Sequence, residues 1–94
     1  MAIKTWACDL TQELFDRDRN RIVPPNVVRR ARKKLLMVDA AADITFLKVP
    51  PGNRLEKLSG NRKGQWSIRI NDQYRICFVF RSGSAYQVEI VDYH

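Results

Sequence analysis

The sequence is poor in the residues from which metal centres and disulfide scaffolds are built. It has two cysteines and one histidine in 94 residues, too few for a disulfide framework and not clustered as metal ligands. No apolar run approaches the length of a membrane span, and the N-terminal residues lack the apolar stretch of a signal peptide. We therefore expect reduced thiols, no metal site, no membrane segment and a cytoplasmic location.

Acidic residues are also in the minority. Ten Asp and Glu face seventeen Lys and Arg, which leaves a formal net charge of +7, and arginine is the commoner cation. A positive field of this size speeds encounter with polyanions and makes their binding salt-dependent, and the planar guanidinium group suits phosphate. The charge predicts a polyanionic partner without choosing among RNA, DNA, an acidic protein and an anionic membrane.

The hydrophobic pattern predicts one domain over residues 1–94 with an α+β fold. One helix is expected to begin at Asp9 or Thr11, and a clearer one covers residues 26–40. Alternating runs then predict strands, with hairpin-like connections between them. We expect two N-terminal helices packed on a four- to five-stranded, mostly antiparallel sheet. The expected strands are residues 65–70, 74–80 and 85–91, a short one at 54–58 and an edge strand at 3–7.

The helix over residues 26–40 has a basic outer face. Arg29, Arg30, Arg32 and Lys33 lie on the side away from its apolar stripe. None has an acidic partner one helical turn away, so the charges repel one another. Each residue taken alone fits an ordinary solvated face, but the whole set favours an anionic partner.

The first clear hairpin predicts two arginines in direct opposition. Its three-residue connection pairs apolar with apolar residues on one face, which places Arg69 across from Arg75 on the other. Like charges there repel, so the pair needs a carboxylate such as Glu89, splaying into water, or a phosphate bound between the two side chains. Arg62 and Lys63, on a turn flanked by glycines, are expected to approach the same face.

The last strand ends in three polar residues, Asp92, Tyr93 and His94. A lone terminal histidine is usually frayed. Here, however, a strand that must be paired runs almost to it, so we expect the three residues beside the arginines. A histidine that titrates near neutral pH can shuttle protons in the attack of a ribose 2′-OH on phosphate.

Four sequence elements together resemble the HigB-type toxins of the RelE/ParE superfamily, the plasmid maintenance system killer family. They are the Gly-Asn-Arg-Leu element at residues 52–55, the Arg-Lys-Gly-Gln-Trp-Ser run at 62–67, the Tyr-Arg-Ile hairpin at 74–76 and the Asp-Tyr-His ending at 92–94. The N-terminal half is similar in layout, so the resemblance covers nearly the whole chain.

This resemblance implies a RelE-like fold and a toxin that cleaves mRNA on translating ribosomes without a metal or cofactor. It implies a HigA-type helix-turn-helix antitoxin as partner and a monomeric free toxin. By position, Arg69 and Arg75 would hold the scissile phosphate, and Asp92, Tyr93 and His94 would complete the active site. The remaining cations are expected to bind RNA, the ribosome or the antitoxin: Arg29, Arg30, Arg32, Lys33, Arg54, Lys57, Arg62 and Lys63.

The sequence departs from the family pattern at one place. Relatives carry a histidine in the first sheet element and a lysine three residues later, where this chain has Glu56 and Ser59. Lys57 is near but should point to the opposite side of a strand. The departure predicts either weakened activity or a chemically different acid–base pair.

We favour the second interpretation, in which Glu56 accepts the 2′-OH proton and His94 protonates the leaving 5′ oxygen. Arg69 and Arg75 would then stabilise the phosphorane. An ion pair of Glu56 with Arg54 or Arg75 is the competing interpretation.

Two other functions share this fold and charge. A ParE-like inhibitor of DNA gyrase would need no acid–base groups at the end of the chain, and a non-catalytic RNA-binding module would not need them either. The Asp-Tyr-His ending argues against both.

Overall fold

The computed structural model describes residues 2–92 as two helices packed on one face of an antiparallel sheet. The predicted α+β class is confirmed. The strands follow one another in the order β1-β2-β3-β4. No helix in the described part of the chain is long and apolar enough to cross a bilayer. The elements are α1 (Asp9–Asp16), α2 (Val28–Ala40), β1 (Glu56–Lys57), β2 (Trp66–Arg69), β3 (Tyr74–Arg81) and β4 (Ser84–Asp92).

The core lies between the sheet and the helices. In α2, Ala31, Leu35 and Val38 are fully buried, at the spacing of one helix face. Burial of a leucine of this kind stabilises the fold by about 1.5–3 kcal/mol. Thr11 of α1 is buried too, and its Oγ1 accepts the Ile90 N–H at 3.0 Å. Thr11 therefore ties α1 to β4 instead of capping the helix, which begins at Asp9 with no side-chain cap.

The predicted register of the β2–β3 hairpin is confirmed. Ile68 pairs with Ile76 on the helix-covered face, and Arg69 pairs with Arg75 on the other. Asn71 shapes the connection, because its Oδ1 accepts two backbone N–H groups of residues 73 and 74, at 2.9 and 2.8 Å.

The expected edge strand at residues 3–7 forms only two isolated parallel bridges to β4, Ile3 to Ala85 and Trp6 to Val88. Between the bridges, the Gln87 N–H is taken by a side chain, the Thr5 hydroxyl, at 2.8 Å. Gln87 has a φ of 54° where the β3–β4 register shifts. This bulge interrupts the backbone ladder, so no continuous strand forms.

The strand expected at residues 54–58 is reduced to the two residues of β1. Arg54 adopts the left-handed backbone conformation, with φ 46° and ψ 54°, as the cap of a 3₁₀ turn (Pro51–Asn53). Because this conformation is not extended, strand pairing begins only at Glu56. Asn53 is fully buried and donates to the carbonyls of Leu47 and Val49 at 3.2 and 3.4 Å. It also accepts from Lys34 Nζ at 2.5 Å, so it fastens this segment to α2.

Candidate functional site

The face of the sheet opposite the helices carries three of the predicted catalytic residues, Glu56, Arg69 and Arg75. Register places Glu56 beside Ser67, Arg69 beside Arg75, and Cys77 beside Glu89. Because cross-strand partners share a face, these side chains all lie on one side. We call this surface the arginine face: Glu56, Ser67, Arg69, Arg75, Cys77 and Glu89.

Arg75 is the most enclosed cation of the arginine face, with a side chain 12% exposed. Its Nε donates to Ser67 Oγ at 2.9 Å, and its Nη2 donates to the Arg54 carbonyl at 2.7 Å. The left-handed conformation of Arg54 belongs to the turn that presents this carbonyl. The guanidinium group is therefore fixed, and Glu56 Oε1 lies 3.9 Å from Nη2. The ion pair between Glu56 and Arg75 considered from the sequence is thus present.

Arg69 and Arg75 are opposed as predicted, but each has its own acidic neighbour. Arg69 bonds to Asp72 in the hairpin connection, whereas Arg75 faces Glu56. The carboxylate considered from the sequence, Glu89, serves neither arginine. The repulsion expected between the two arginines is relieved locally, and a bound phosphate would have to compete with these two carboxylates.

Glu89 instead pairs with Arg62. Arg62 Nη1 lies 3.2 Å from Glu89 Oε2 and 2.9 Å from Gln65 Oε1, so Arg62 approaches the arginine face as expected. Cys77, the cross-strand partner of Glu89, is fully buried. Burial raises the pKa of its thiol. Sequence reasoning missed this ion pair, since residues 27 positions apart give no local signal.

The cations at the edge of the sheet point in different directions. Lys57 pairs in register with Trp66 on the helix-covered side, and its Nζ lies 5.8 Å from the Trp66 ring centroid. It therefore points away from the arginine face, as predicted. Lys63 is exposed. A cavity of about 230 Å³ opens next to Glu56, lined by Glu56, Lys57, Leu58, Ser59, Asn61 and Arg62.

Asp92 does not share the arginine face, contrary to the prediction. It pairs with Tyr74, while its neighbour Val91 pairs with Arg75. Because side chains alternate along a strand, Asp92 projects to the other side, at the same end of the sheet. Gln73 Nε2 donates to its carboxylate at 3.1 Å. Tyr93 and His94 lie outside the described residues.

The basic face of α2 divides into two parts. Arg32 bonds to Asp18 at 2.6 Å and reaches the Leu14 carbonyl at 3.4 Å, so α1 and the loop after it hold its side chain. The other three cations line a cavity of about 560 Å³ at the N-terminal half of the helix. We call it the α2 cavity, and its polar lining is Asn26, Arg29, Arg30, Lys33, Lys34 and Asn71.

With this geometry in place, comparison with known proteins identifies the family. The model of the HigB-like toxins, described as RelE-like toxins of the type II toxin–antitoxin system HigB, matches residues 4–94. The chain belongs to this family. The HigB-like toxin is 43% identical over 76 residues to Toxin HigB-1 of Vibrio cholerae serotype O1, covering 81% of this chain and 80% of that protein. It is 36% identical over 85 residues to Endoribonuclease HigB of Proteus vulgaris, covering 86% and 87%.

Solved structures confirm the RelE-like fold of this HigB-like toxin. The YoeB–YefM complex of Staphylococcus aureus contains a chain that superposes with a TM-score of 0.61 at 19% identity, covering 98% of this chain and 94% of that one. The YoeB dimer of the same organism gives 0.56 at 19% identity, covering 100% and 97%.

Proposed function

We propose that this HigB-like toxin is an mRNA endoribonuclease that arrests translation and is neutralised by an antitoxin. Family membership and the relative named Endoribonuclease HigB support the activity. One observation carries the proposal for this chain: the guanidinium group of Arg75, which is largely enclosed, lies 3.9 Å from the carboxylate of Glu56. A candidate phosphate binder and a candidate general base stand side by side on the sheet face opposite the helices.

Their proximity fits cleavage by the neighbouring ribose. A phosphodiester bound by Arg75 would bring the 2′-OH of the preceding nucleotide towards Glu56, which is 53% exposed. Glu56 accepts the hydroxyl proton while the 2′ oxygen attacks phosphorus. Arg75, assisted by Arg69, stabilises the charge that accumulates on the phosphoryl oxygens.

The leaving 5′ oxygen needs a proton, and His94 supplies it in this proposal. The P–O5′ bond breaks, and the products are a 2′,3′-cyclic phosphate and a 5′-hydroxyl end. Asp92 and Tyr93 complete the C-terminal part of the site. In this proposal Asp92 contributes from the side of β4 that faces away from the arginine face, where its carboxylate accepts from Gln73 Nε2. Every proton in these steps is carried by a side chain.

The partners proposed for the toxin are a HigA-type helix-turn-helix antitoxin and the ribosome of a cytoplasmic translation complex. A structural neighbour was solved as a complex of YoeB with YefM, which supports an antitoxin partner. The free toxin is proposed to be a monomer. Cations that the arginine face does not use remain available for RNA, the ribosome or the antitoxin, among them Arg29, Arg30, Lys33, Lys57 and Lys63.

The test is to map mRNA 5′ ends by primer extension after induction of the wild type, Glu56→Gln and His94→Ala. We expect new ends within translated codons for the wild type and at least about tenfold fewer for each variant. Glu13→Gln, which alters a carboxylate of α1 bonded to Arg21, is the control and should cut like the wild type. Growth arrest without new ends in any strain would contradict the ribonuclease function and favour a gyrase-type or binding-only toxin.

A further inference from the structure

The α2 cavity has the features of an anion site, and the cleavage chemistry proposed above makes no use of it. Its volume is about 560 Å³, and three of the residues that line it, Arg29, Arg30 and Lys33, come from the first two turns of α2. The positive end of a helix dipole adds to their charge. The cavity thus concentrates positive potential in a concave surface, which strengthens attraction for a polyanion.

The charges in the α2 cavity are not compensated. Within residues 2–92, Arg29, Arg30 and Lys33 form no ion pair and no side-chain hydrogen bond. Every arginine of the arginine face, by contrast, has a carboxylate beside it. Three unpaired cations on neighbouring positions of one helix destabilise it by mutual repulsion, and a bound anion would remove this cost.

The positive charges of the cavity also act on Lys34. Burial lowers its pKa, and the charges of Lys33 and Arg30 lower it further. Its Nζ is already committed to Asn53 Oδ1 at 2.5 Å. Lys34 therefore forms a wall of the cavity, and its neighbours carry the charge that faces a ligand.

Asn71 connects the α2 cavity to the arginine face. Its Oδ1 is occupied by two backbone N–H groups of the hairpin, which leaves its amide N–H₂ to donate into the cavity that it lines. It stands two residues after Arg69, a distance of at most about 7 Å along the chain. An RNA strand leaving Arg69 would pass over the β2–β3 connection before it reached the cavity.

We propose that the α2 cavity binds successive phosphates of the RNA strand that is cut on the arginine face. The strand passes over the β2–β3 connection, and Arg29, Arg30 and Lys33 hold its backbone without reading its bases. This inference rests on the proposed function for the identity of the strand. It restricts the RNA-binding part of α2 to three of the four predicted cations, since Arg32 is bonded to Asp18.

The test measures fluorescence anisotropy of labelled single-stranded 2′-O-methyl RNA, which lacks the attacking hydroxyl and cannot be cut. The cavity variant is Arg29→Ala/Arg30→Ala/Lys33→Ala. The matched control, Lys4→Ala/Arg17→Ala/Arg19→Ala, removes the same charge elsewhere. For a 12-nucleotide strand we expect the cavity variant to bind at least about tenfold more weakly than the control, with a slope of log K against log salt smaller by about 2.

A three-nucleotide strand should bind both variants alike, because it is too short to reach from the arginine face into the cavity. Equal weakening of the 12-nucleotide strand by cavity variant and control would overturn the proposal and leave only general charge attraction. A cavity variant that binds free RNA like the control yet no longer sediments with ribosomes would overturn it too, in favour of ribosomal RNA as the ligand.

The binding result is independent of catalysis. If the wild type fails to cut mRNA in cells while the cavity variant loses the 12-nucleotide strand, the proposed function fails and the RNA site stands. If the wild type cuts and the two triple variants bind RNA equally, the function stands and the RNA site fails.

Discussion

Arg75 reaches across the β2–β3 pair to Ser67, with 2.9 Å between Nε and Oγ. Its Nη2 is held at the same time by the Arg54 carbonyl, at 2.7 Å. One anchor lies on β2 and the other on the turn before β1, and together they fix the plane of the guanidinium group. The group is therefore oriented before any phosphate arrives, which avoids reorganisation during the reaction.

Arg75→Lys should lower the cleavage rate about 100-fold, the usual effect of removing one donor to a developing charge. A lysine ammonium keeps the charge but cannot bond to Ser67 and Arg54 in the same planar geometry. The measurement is single-turnover cleavage of mRNA on purified ribosomes. Ser67→Ala removes one anchor only, so its rate should fall less while KM stays unchanged. A lysine variant as fast as the wild type would show that orientation of this group does not matter.

Asp72→Asn should tighten RNA binding severalfold at low salt. Asp72 bonds to Arg69 and is 99% exposed, so it competes with phosphate for this arginine while contributing little to the fold. Anisotropy titration with uncleavable RNA measures the change, and high salt should abolish it. Asp16→Asn, an exposed carboxylate on α1, serves as the control for the change in net charge. Equal gains from both variants would contradict a specific role of Asp72.

Asn53→Ala should lower the free energy of unfolding by about 1–3 kcal/mol, because it removes the hydrogen bonds of a fully buried side chain and leaves the Leu47 carbonyl buried without its partner. The lost partners are the Leu47 and Val49 carbonyls and Lys34 Nζ. Urea denaturation followed by tryptophan fluorescence measures the loss. Asn61→Ala, on an exposed turn, should change it by less than about 0.5 kcal/mol. Similar losses in both variants would contradict the role of Asn53 in holding its segment against α2.

Alkaline pH should destabilise the fold in part through Cys77. Burial raises the pKa of this thiol above its ordinary value of 9.0, so the unfolded chain ionises where the folded protein does not. The stability contributed by the neutral thiol is complete below pH 9 and is lost as pH rises through the folded pKa. Unfolding free energies measured from about pH 8 to 10.5 should therefore fall more steeply for the wild type than for Cys77→Ala.

Cys77→Val separates ionisation from packing, because it lacks the thiol but does not leave the space that Cys77→Ala opens in the core. Both variants should share the shallow pH dependence, although the alanine variant is the less stable one throughout. A slope identical to that of the wild type in either variant would exclude Cys77 as the titrating group.

The sheet register was the most predictable part of the molecule. A three-residue connection and alternating apolar residues leave one pairing that buries Ile68 against Ile76, and that pairing fixes the opposition of Arg69 and Arg75. The helical period also located α2, because Ala31, Leu35 and Val38 recur at the spacing of one buried face, although a 3₁₀ turn (Pro25–Val27) replaces its expected first residues.

The partners within the site were harder to predict. Arg62 and Glu89 meet across 27 residues, and which carboxylate serves which arginine depends on turn geometry that no pattern encodes. The face of Asp92 was predicted wrongly because the C-terminal triplet was treated as a unit, although alternation sends neighbouring side chains to opposite sides. Arg32 could not be distinguished from its helix neighbours without the position of Asp18.

The order of the sheet has a consequence for how the chain folds. β1 to β4 pair in the order of the sequence, each with the strand before it. Each pairing therefore closes only a short loop, and the entropic cost of loop closure is small. The link from Thr11 to Ile90 instead joins positions 79 residues apart and must await β4. We therefore expect the hairpin that carries the two arginines to assemble early, and docking of α1 onto β4 to limit the folding rate.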